Sequence, residues 1–155
     1  SSDLDGYEAL RFVPDPGDPG SIGDSDIRAL YEARDGTIWV ATNTGGLCRL
    51  DPETGRFRNF RHDPGDPASL SYDSVYGMTE DRDGRLWVAT QSGLNRLDPA
   101  TGLFERFMHD ARDPASLPND YVYPLLTDRD GRLWIGTVGG GLARWNPGAR
   151  AFERI

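Results

Sequence analysis

Short runs of apolar residues, separated by clusters of turn-forming residues, recur along the whole chain. Residues 86–89 (LWVA) are apolar at consecutive positions, which is typical of a strand buried on both faces. Asp-Gly pairs and Asp-Pro-x-Thr-Gly motifs separate such runs, and these residues favour tight hairpin turns. No 3.6-residue helical period appears, so the pattern predicts an all-β protein.

The strands belong to a unit that occurs three times. Residues 35–42 (DGTIWVAT) return as 83–90 (DGRLWVAT) and again as 130–137 (DGRLWIGT). The tryptophans of the three copies are 48 and 47 residues apart, and each period has room for four short strands. Four strands per repeat, with both sheet faces apolar, is the pattern of a β-propeller blade. The repeated aromatic residues are predicted to form the structural core: Trp39, Trp87, Trp134, Phe60 and Phe107.

The predicted fold is a β-propeller fragment of three four-stranded antiparallel blades plus one extra N-terminal strand near residues 7–12. We expect one propeller-type domain overall, divided as follows: an orphan outer strand and inter-blade linker at 1–22, blade 1 at 23–62, a linker and blade 2 at 63–109, and a linker and blade 3 at 110–155. Closed propellers typically have about four to eight blades. The end blades are therefore expected to pack against other blades of the parent propeller or against further copies of the chain. The simplest homo-oligomer is a dimer with six blades.

Composition excludes several classes of partner. The net charge of −8 argues against binding to nucleic acid and to anionic membranes, both of which attract cationic proteins. No apolar run approaches the length of a membrane-spanning helix, so no direct membrane insertion is expected, and a signal peptide is expected to be absent or already removed. Cys48 is the single cysteine, which excludes an intrachain disulfide.

Candidate catalytic and metal-binding motifs are better explained by turns and by the repeat itself. Asp81-x-Asp83-Gly84 resembles the start of a calcium loop, but the later oxygen ligands of such a loop are missing, which favours a hairpin turn. His62 and His109 occupy equivalent positions in different blades, so their side chains should point apart rather than form a metal site or catalytic pair. We predict no catalytic residues, no metal and no cofactor, and therefore a protein that is not an enzyme.

Positions that differ between otherwise matched copies are candidates for binding. In an antiparallel blade, the connection from each outer strand to the next blade and the turn between the second and third strands lie on one side of the propeller, here called the first face. The residues predicted to bind a ligand there are Asp24, Arg28, Tyr72, Tyr76, Asn119 and Tyr123. Aromatic, amide and carboxylate groups around a channel mouth suit a carbohydrate or another small polar ligand. Ordinary loop divergence is the alternative explanation.

The repeat resembles a known family. Residues 80–90 (EDRDGRLWVAT) and 133–142 (LWIGTVGGGL) are similar to the two-component regulator propeller repeat, with alanine at Ala41 and Ala89 where that family usually has glycine. The resemblance implies a periplasmic or extracellular sensor domain of a bacterial membrane signalling protein, with a histidine kinase or diguanylate cyclase as output. Several members of that family recognise carbohydrates.

Three functions remain in competition at the level of sequence. The first is a non-catalytic ligand-sensing module, and the second is a scaffold for protein–protein interaction or assembly. The third is a propeller lyase or hydrolase, for which the chain shows no matching set of catalytic residues.

Overall fold

The computed structural model describes residues 10–155, which form three antiparallel sheets of four strands each. Each sheet contains four consecutive strands in chain order, and residues 10–155 contain no helix. The strands of blade 1 are β1 (Ile27–Glu32), β2 (Ile38–Thr42), β3 (Leu47–Asp51) and β4 (Arg56–Phe60). Those of blade 2 are β5 (Val75–Glu80), β6 (Leu86–Thr90), β7 (Gly93–Asp98) and β8 (Leu103–Phe107). Those of blade 3 are β9 (Val122–Thr127), β10 (Leu133–Thr137), β11 (Gly141–Asn146) and β12 (Ala151–Arg154).

The blades stack face to face, as the apolar runs predict. In β6, Leu86 and Val88 pack in a cluster shared with blade 1, whereas Trp87 and Ala89 pack in a cluster shared with blade 3. The inner strands β1, β5 and β9 consequently lie side by side. The all-β propeller fold predicted from the sequence is confirmed.

The linkers follow the outer strands of the blades that they precede. Three equivalent phenylalanines of the outer strands donate their backbone amides to carbonyls of the linkers. The pairs are Phe57 with Gly20, Phe104 with Ala68 and Phe152 with Ala115, at 2.8, 2.9 and 2.8 Å. Each linker is therefore hydrogen-bonded to the outer strand of the blade that follows it.

The Asp-x-Asp-Gly motifs form hairpin turns that also hold a tryptophan. Asp81 Oδ1 accepts the amides of Asp83 and Arg85 at 2.9 and 3.0 Å, and Asp81 Oδ2 accepts the Trp87 indole N–H at 2.9 Å. Asp128 accepts the Trp134 indole at 2.8 Å, and this hydrogen bond is the main reason why the pKa of Asp128 lies well below its usual value. The first carboxylate of each motif is thus used by the turn itself.

The five aromatic residues predicted to form the core differ in how deeply they are buried. Trp39, Trp87 and Phe60 are buried, and the half-buried Phe107 stacks on Trp87 with 5.3 Å between ring centroids. Trp134, the fifth predicted core residue, is half-buried. Trp134 belongs to the outer face of blade 3, which no other blade covers within residues 10–155.

The two end faces of the stack differ. On blade 3, the face that carries Trp134 also exposes Leu126 (60% exposed), Leu142 and Ile155. On blade 1, the connection before β1 covers part of the sheet, where Ile22 packs in a small cluster of buried residues with three partners: Val40, Cys48 and Phe57. Ile27 and Leu30 remain exposed beside this cluster.

The predicted N-terminal extra strand is mostly outside the part of the chain that the structure describes. Residues 1–9 lie outside the described range, and residues 10–12 are not part of a strand. Phe12 nevertheless packs edge to face on Phe57 of β4, with 5.3 Å between ring centroids. The chain before blade 1 thus contacts the outer strand of that blade.

We predict that Leu94→Ala destabilises the protein far more than Leu103→Ala. Leu94 is completely buried (0% exposed) between blades 2 and 3, and its truncation should lower the free energy of unfolding by about 2–5 kcal/mol. Leu103 is 56% exposed, so its truncation should cost less than about 1 kcal/mol. Urea unfolding followed by circular dichroism measures both values. Equal unfolding midpoints for the two variants would contradict the stacked-blade core.

Candidate functional site

The candidate site is built on an irregularity that recurs in all three inner strands. The pairing of each inner strand with its neighbour shifts register near the first face, between Ile27 and Ala29 in β1 and between Val75 and Gly77 in β5. In β9 the shift lies between Val122 and Leu125, which pair with Thr137 and Ile135 of β10. Bulges of this kind change the direction of a side chain and often occur beside binding sites. The residues inside the three irregular segments include Arg28, Tyr76 and Tyr123.

These three residues and Tyr121 form one contact group, which we call the tyrosine cluster. Tyr76 is at its centre. The Tyr121 ring stacks on Tyr76 at a centroid distance of 5.4 Å, and the Tyr123 ring is tilted against it at 5.2 Å. The Arg28 guanidinium lies 4.3 Å from the centroid of the Tyr76 ring, a cation–π contact. The tyrosine cluster therefore joins all three blades.

Two phenol groups of the tyrosine cluster share a hydrogen bond. The hydroxyl oxygens of Tyr76 and Tyr121 are 2.7 Å apart. This hydrogen bond is the largest influence on the pKa of Tyr76 and lowers it; burial opposes the effect, and Arg28 adds a smaller lowering contribution. The same hydrogen bond raises the pKa of Tyr121, so Tyr76 is the first of the pair to ionise. The pair thus presents a polarised hydroxyl group beside a cation.

The rest of the site is open and polar. Arg28 donates a hydrogen bond to Asn43 Oδ1, which lies in the turn between β2 and β3. Tyr123 is 55% exposed, so part of its side chain is free to contact a ligand. An aromatic surface with hydroxyl, amide and guanidinium groups at its edge suits a sugar ring or another small polar molecule.

The structure places three of the six residues predicted to bind a ligand in the tyrosine cluster, namely Arg28, Tyr76 and Tyr123, and gives the other three different roles. Asp24 braces the turn of blade 1, accepting the Thr44 amide at 2.8 Å and hydroxyl at 2.9 Å. Burial raises the pKa of Asp24, but the hydrogen bonds that it accepts outweigh this effect and hold the pKa below its usual value. Asn119 accepts the backbone amide of Tyr121 at 2.9 Å, and Tyr72 is an exposed side chain on the first face.

Sequence reasoning missed Tyr121 as a site residue. Tyr121 stands where the other copies have Ser74 and Asp26, so the same divergence between copies could have identified it. Asn43 is a turn residue that differs between the copies, but only the structure shows that it accepts a hydrogen bond from Arg28.

The two histidines support the linkers. The Nδ1 atoms of His62 and His109 lie 2.8 and 2.7 Å from the backbone carbonyls of Leu70 and Leu117. Asp73 and Asp120 accept the backbone amides of the same two histidines. Within residues 10–155, no group of three or more His, Cys, Asp or Glu side chains is arranged to hold a metal ion.

Three stacked four-stranded antiparallel blades, with the variable side chains gathered at the inner strands, define the chain as a β-propeller protein. The chain belongs to the family described as the SMP-30/gluconolactonase/LRE-like region, which matches residues 28–149. A search of curated proteins finds no match.

Solved structures relate the chain to bacterial signalling proteins. It is similar to the extracellular domain of a protein described as a hybrid two-component system from B. thetaiotaomicron, with 29% identity over 92% of this chain and 20% of that one, and a TM-score of 0.77. A second such domain from the same organism is 21% identical over 86% of this chain and 19% of that one, with a TM-score of 0.69. The chain thus spans about a fifth of these relatives, and its resemblance to two-component regulator propellers is confirmed.

A lyase shares the fold. Virginiamycin B lyase from S. aureus is 19% identical over 91% of this chain and 42% of that one, with a TM-score of 0.63. At this level of identity the similarity concerns the fold alone.

No helix among residues 10–155 is long and apolar enough to cross a membrane.

We predict that Tyr121→Phe raises the pKa of Tyr76 towards that of a free tyrosine. The substitution removes the hydroxyl group whose hydrogen bond is the main cause of the lowered pKa. A pH titration of protein labelled with ¹³C at the tyrosine ring carbons measures the change, and Tyr72→Phe is the matched control. An unchanged Tyr76 titration in Tyr121→Phe would show that the two hydroxyl groups are not coupled.

Proposed function

We propose that this chain is part of the extracytoplasmic ligand-sensing propeller of a bacterial membrane signalling protein. In this proposal the propeller is non-catalytic and lies in the periplasm or outside the cell, and its output is a two-component kinase or a diguanylate cyclase. The similarity to an extracellular domain of a hybrid two-component system supports the location and the class. The observation that carries the sensing function is the tyrosine cluster, in which three blades contribute side chains to one open surface.

The chemistry of the tyrosine cluster favours a carbohydrate or a small polar ligand. The exposed part of Tyr123 offers an apolar surface for the C–H face of a sugar ring, and the hydroxyl of Tyr76 offers a hydrogen-bonding group next to it. The Arg28 guanidinium adds a positive charge at the edge, although the chain as a whole is acidic. These groups stand on strands of a rigid sheet, where they need little rearrangement to bind.

The enzymatic alternative has less support. A histidine-to-alanine variant of virginiamycin B lyase is catalytically inactive, so a histidine is essential to that enzyme. In residues 10–155, His62 and His109 contact backbone carbonyls of their own linkers instead of lying beside a cavity with other acid–base groups. A scaffold for assembly remains the second candidate function, because the end faces of the stack are apolar.

We predict that Tyr123→Ala and Arg28→Ala each weaken ligand binding by about tenfold or more, since each removes one wall of the tyrosine cluster. Thermal-shift screening of the chain against a panel of glycans and nucleotides, including cyclic dinucleotides, would identify the ligand, and calorimetry would then measure the affinity of each variant. Tyr72→Ala removes another exposed first-face tyrosine and serves as the matched control, with unchanged affinity.

Two outcomes would contradict the sensing proposal. One is that no compound of the panel stabilises the chain, which would leave the scaffold function ahead. The other is that a ligand binds equally well to wild type and to both cluster variants, which would place its site elsewhere.

We also propose that further blades cover the two end faces. Leu142 of blade 3 occupies the repeat position at which Leu94 is buried against the next blade, and Trp134 occupies the position of Trp87. Two further apolar side chains, Leu126 and Ile155, extend this uncovered face. A sheet with tryptophan and leucine at these two repeat positions fits the same kind of neighbour, either another blade of the parent propeller or blade 1 of a second copy.

We predict that the isolated chain self-associates, with a six-bladed dimer as the simplest product, and that Leu142→Glu shifts it towards monomer. The introduced carboxylate would have to be buried without a partner in the stacked interface. Light scattering over a range of protein concentrations measures the mass, and Leu103→Glu, on an exposed outer strand, is the matched control. A folded wild-type monomer at every concentration would contradict self-association.

A further inference from the structure

Blade 1 lacks a carboxylate that holds the equivalent tryptophan in the other two blades. Asp81 accepts the indole N–H of Trp87, and Asp128 accepts that of Trp134. The matching residue of blade 1 is Ala33. Among residues 10–155, the Trp39 indole N–H donates to no group, although Trp39 is only 2% exposed. The buried side-chain atoms without a hydrogen-bond partner among the described residues are Asn59 Oδ1 and Ser74 Oγ, so the Trp39 N–H is open to the groove that its ring lines and is free to meet an acceptor there.

A second carboxylate is missing from the same place in blade 1. Arg96 pairs with Glu105 at 2.6 Å, and the equivalent pair of blade 3, Arg144 with Glu153, is 3.3 Å apart. In blade 1 the repeated arginine is Arg49, and its cross-strand partner in β4 is another arginine. The glutamate has thus been replaced by a residue of opposite charge.

The replacement leaves Arg49 without an ion pair among the described residues. Its guanidinium donates to the Pro99 carbonyl at 3.4 Å and lies 5.5 Å from the Trp39 ring centroid and 5.7 Å from that of Phe60. Burial, together with the positive charge of Arg58, lowers the pKa of Arg49. Both departures from the repeat therefore concentrate hydrogen-bond donors and positive charge around one indole.

These groups border a groove between blades 1 and 2, on the side of the propeller opposite the tyrosine cluster. The groove has a volume of about 690 Å³, and Ala33, Trp39 and Arg49 line it. Four acidic residues also line it: Asp35, Glu80, Asp83 and Asp98.

Three of these acidic residues already have partners. Asp35 accepts the Thr37 amide at 2.9 Å, Glu80 accepts the Arg34 amide at 2.8 Å, and Asp98 pairs with Arg85 at 3.1 Å. Asp83 is exposed in the turn between β5 and β6, where Arg82, another exposed residue of the groove, is its neighbour. None of the four acidic side chains takes the place that Asp81 has beside Trp87.

We propose that this groove binds the carboxylate group of a small organic anion. The bound carboxylate accepts the indole N–H of Trp39, as the Asp81 carboxylate accepts that of Trp87, and the guanidinium of Arg49 balances its charge. The repeat shows that a planar carboxylate fits this position, since the oxygen-to-nitrogen distances in blades 2 and 3 are 2.9 and 2.8 Å. The remainder of the ligand lies in the open groove. This site is independent of the tyrosine cluster and of the sensing proposal.

The indole N–H signals in a ¹H–¹⁵N correlation spectrum test the proposal directly. The chain has four tryptophans, and Trp39→Phe assigns the signal of interest. Titration with sodium acetate, at constant ionic strength, should shift the Trp39 signal in a saturable way. The signals of Trp87 and Trp134 should stay in place because their donors are already bound to aspartates. A fragment of this size binds weakly, with a dissociation constant in the millimolar range or above (~1–10 mM).

Two variants separate a specific site from general attraction of anions. Ala33→Asp supplies the missing carboxylate from the chain itself, so the Trp39 signal should start near its acetate-bound position and no longer respond to acetate. Ala100→Asp adds the same charge at the exposed rim of the groove and should preserve the response. Arg49→Gln should weaken acetate binding without moving the indole signals of blades 2 and 3.

Three results would overturn the proposal. The first is a Trp39 signal that stays fixed throughout the acetate titration, and the second is a joint movement of all four indole signals. The third is a shift of the Trp39 signal by inorganic phosphate as large as the shift by acetate, which would contradict the assignment to a planar carboxylate. Once the Trp39 signal is assigned, each of these results is visible in wild-type protein, so the test does not depend on the folding of Ala33→Asp or Arg49→Gln.

Discussion

The structure depends on one constraint, which is that the second strand of each blade is apolar on both sides. In β6, Leu86 faces blade 1 while Trp87 faces blade 3, so a single blade leaves half of its apolar side chains in water. Stacking of equivalent sheets is the arrangement that buries both sets at once. The same stacking places the inner strands side by side, and this alone brings residues from three blades, such as Arg28, Tyr76 and Tyr123, into contact.

The sequence predicts what repeats and is weaker on what depends on neighbours. The strands, their order and the buried Trp39 and Trp87 follow from local patterns that occur three times. Trp134 has the same local pattern, but its burial requires a sheet beyond blade 3. The alignment of copies likewise groups Asp24 with Tyr72, although the Asp24 carboxylate braces a turn and the Tyr72 side chain is exposed. Residues at equivalent positions of the repeat occupy the same place in the backbone but make different contacts.

Departures from the repeat mark both candidate sites, one on each side of the propeller. On the first face, Tyr121 replaces a small or acidic residue and completes the tyrosine cluster. On the opposite side, the sequence shows that blade 1 has Ala33 instead of the first aspartate of the turn. The consequence of this replacement appears only in the structure, because the hydrogen bond between Asp81 and Trp87 joins residues six positions apart across a hairpin.

The position of the tyrosine cluster gives a physical reason why binding there could be transmitted. Arg28 belongs to blade 1, Tyr76 to blade 2 and Tyr121 to blade 3, so a ligand in contact with all of them bridges three sheets. Elsewhere the blades are joined by apolar layers and by hydrogen bonds between two neighbouring inner strands, such as those of Tyr31 with Glu80 and of Thr79 with Thr127. A bridging ligand adds such bonds, favours one spacing of the inner strands and restricts their relative motion, and each effect reaches the end blades through the stack.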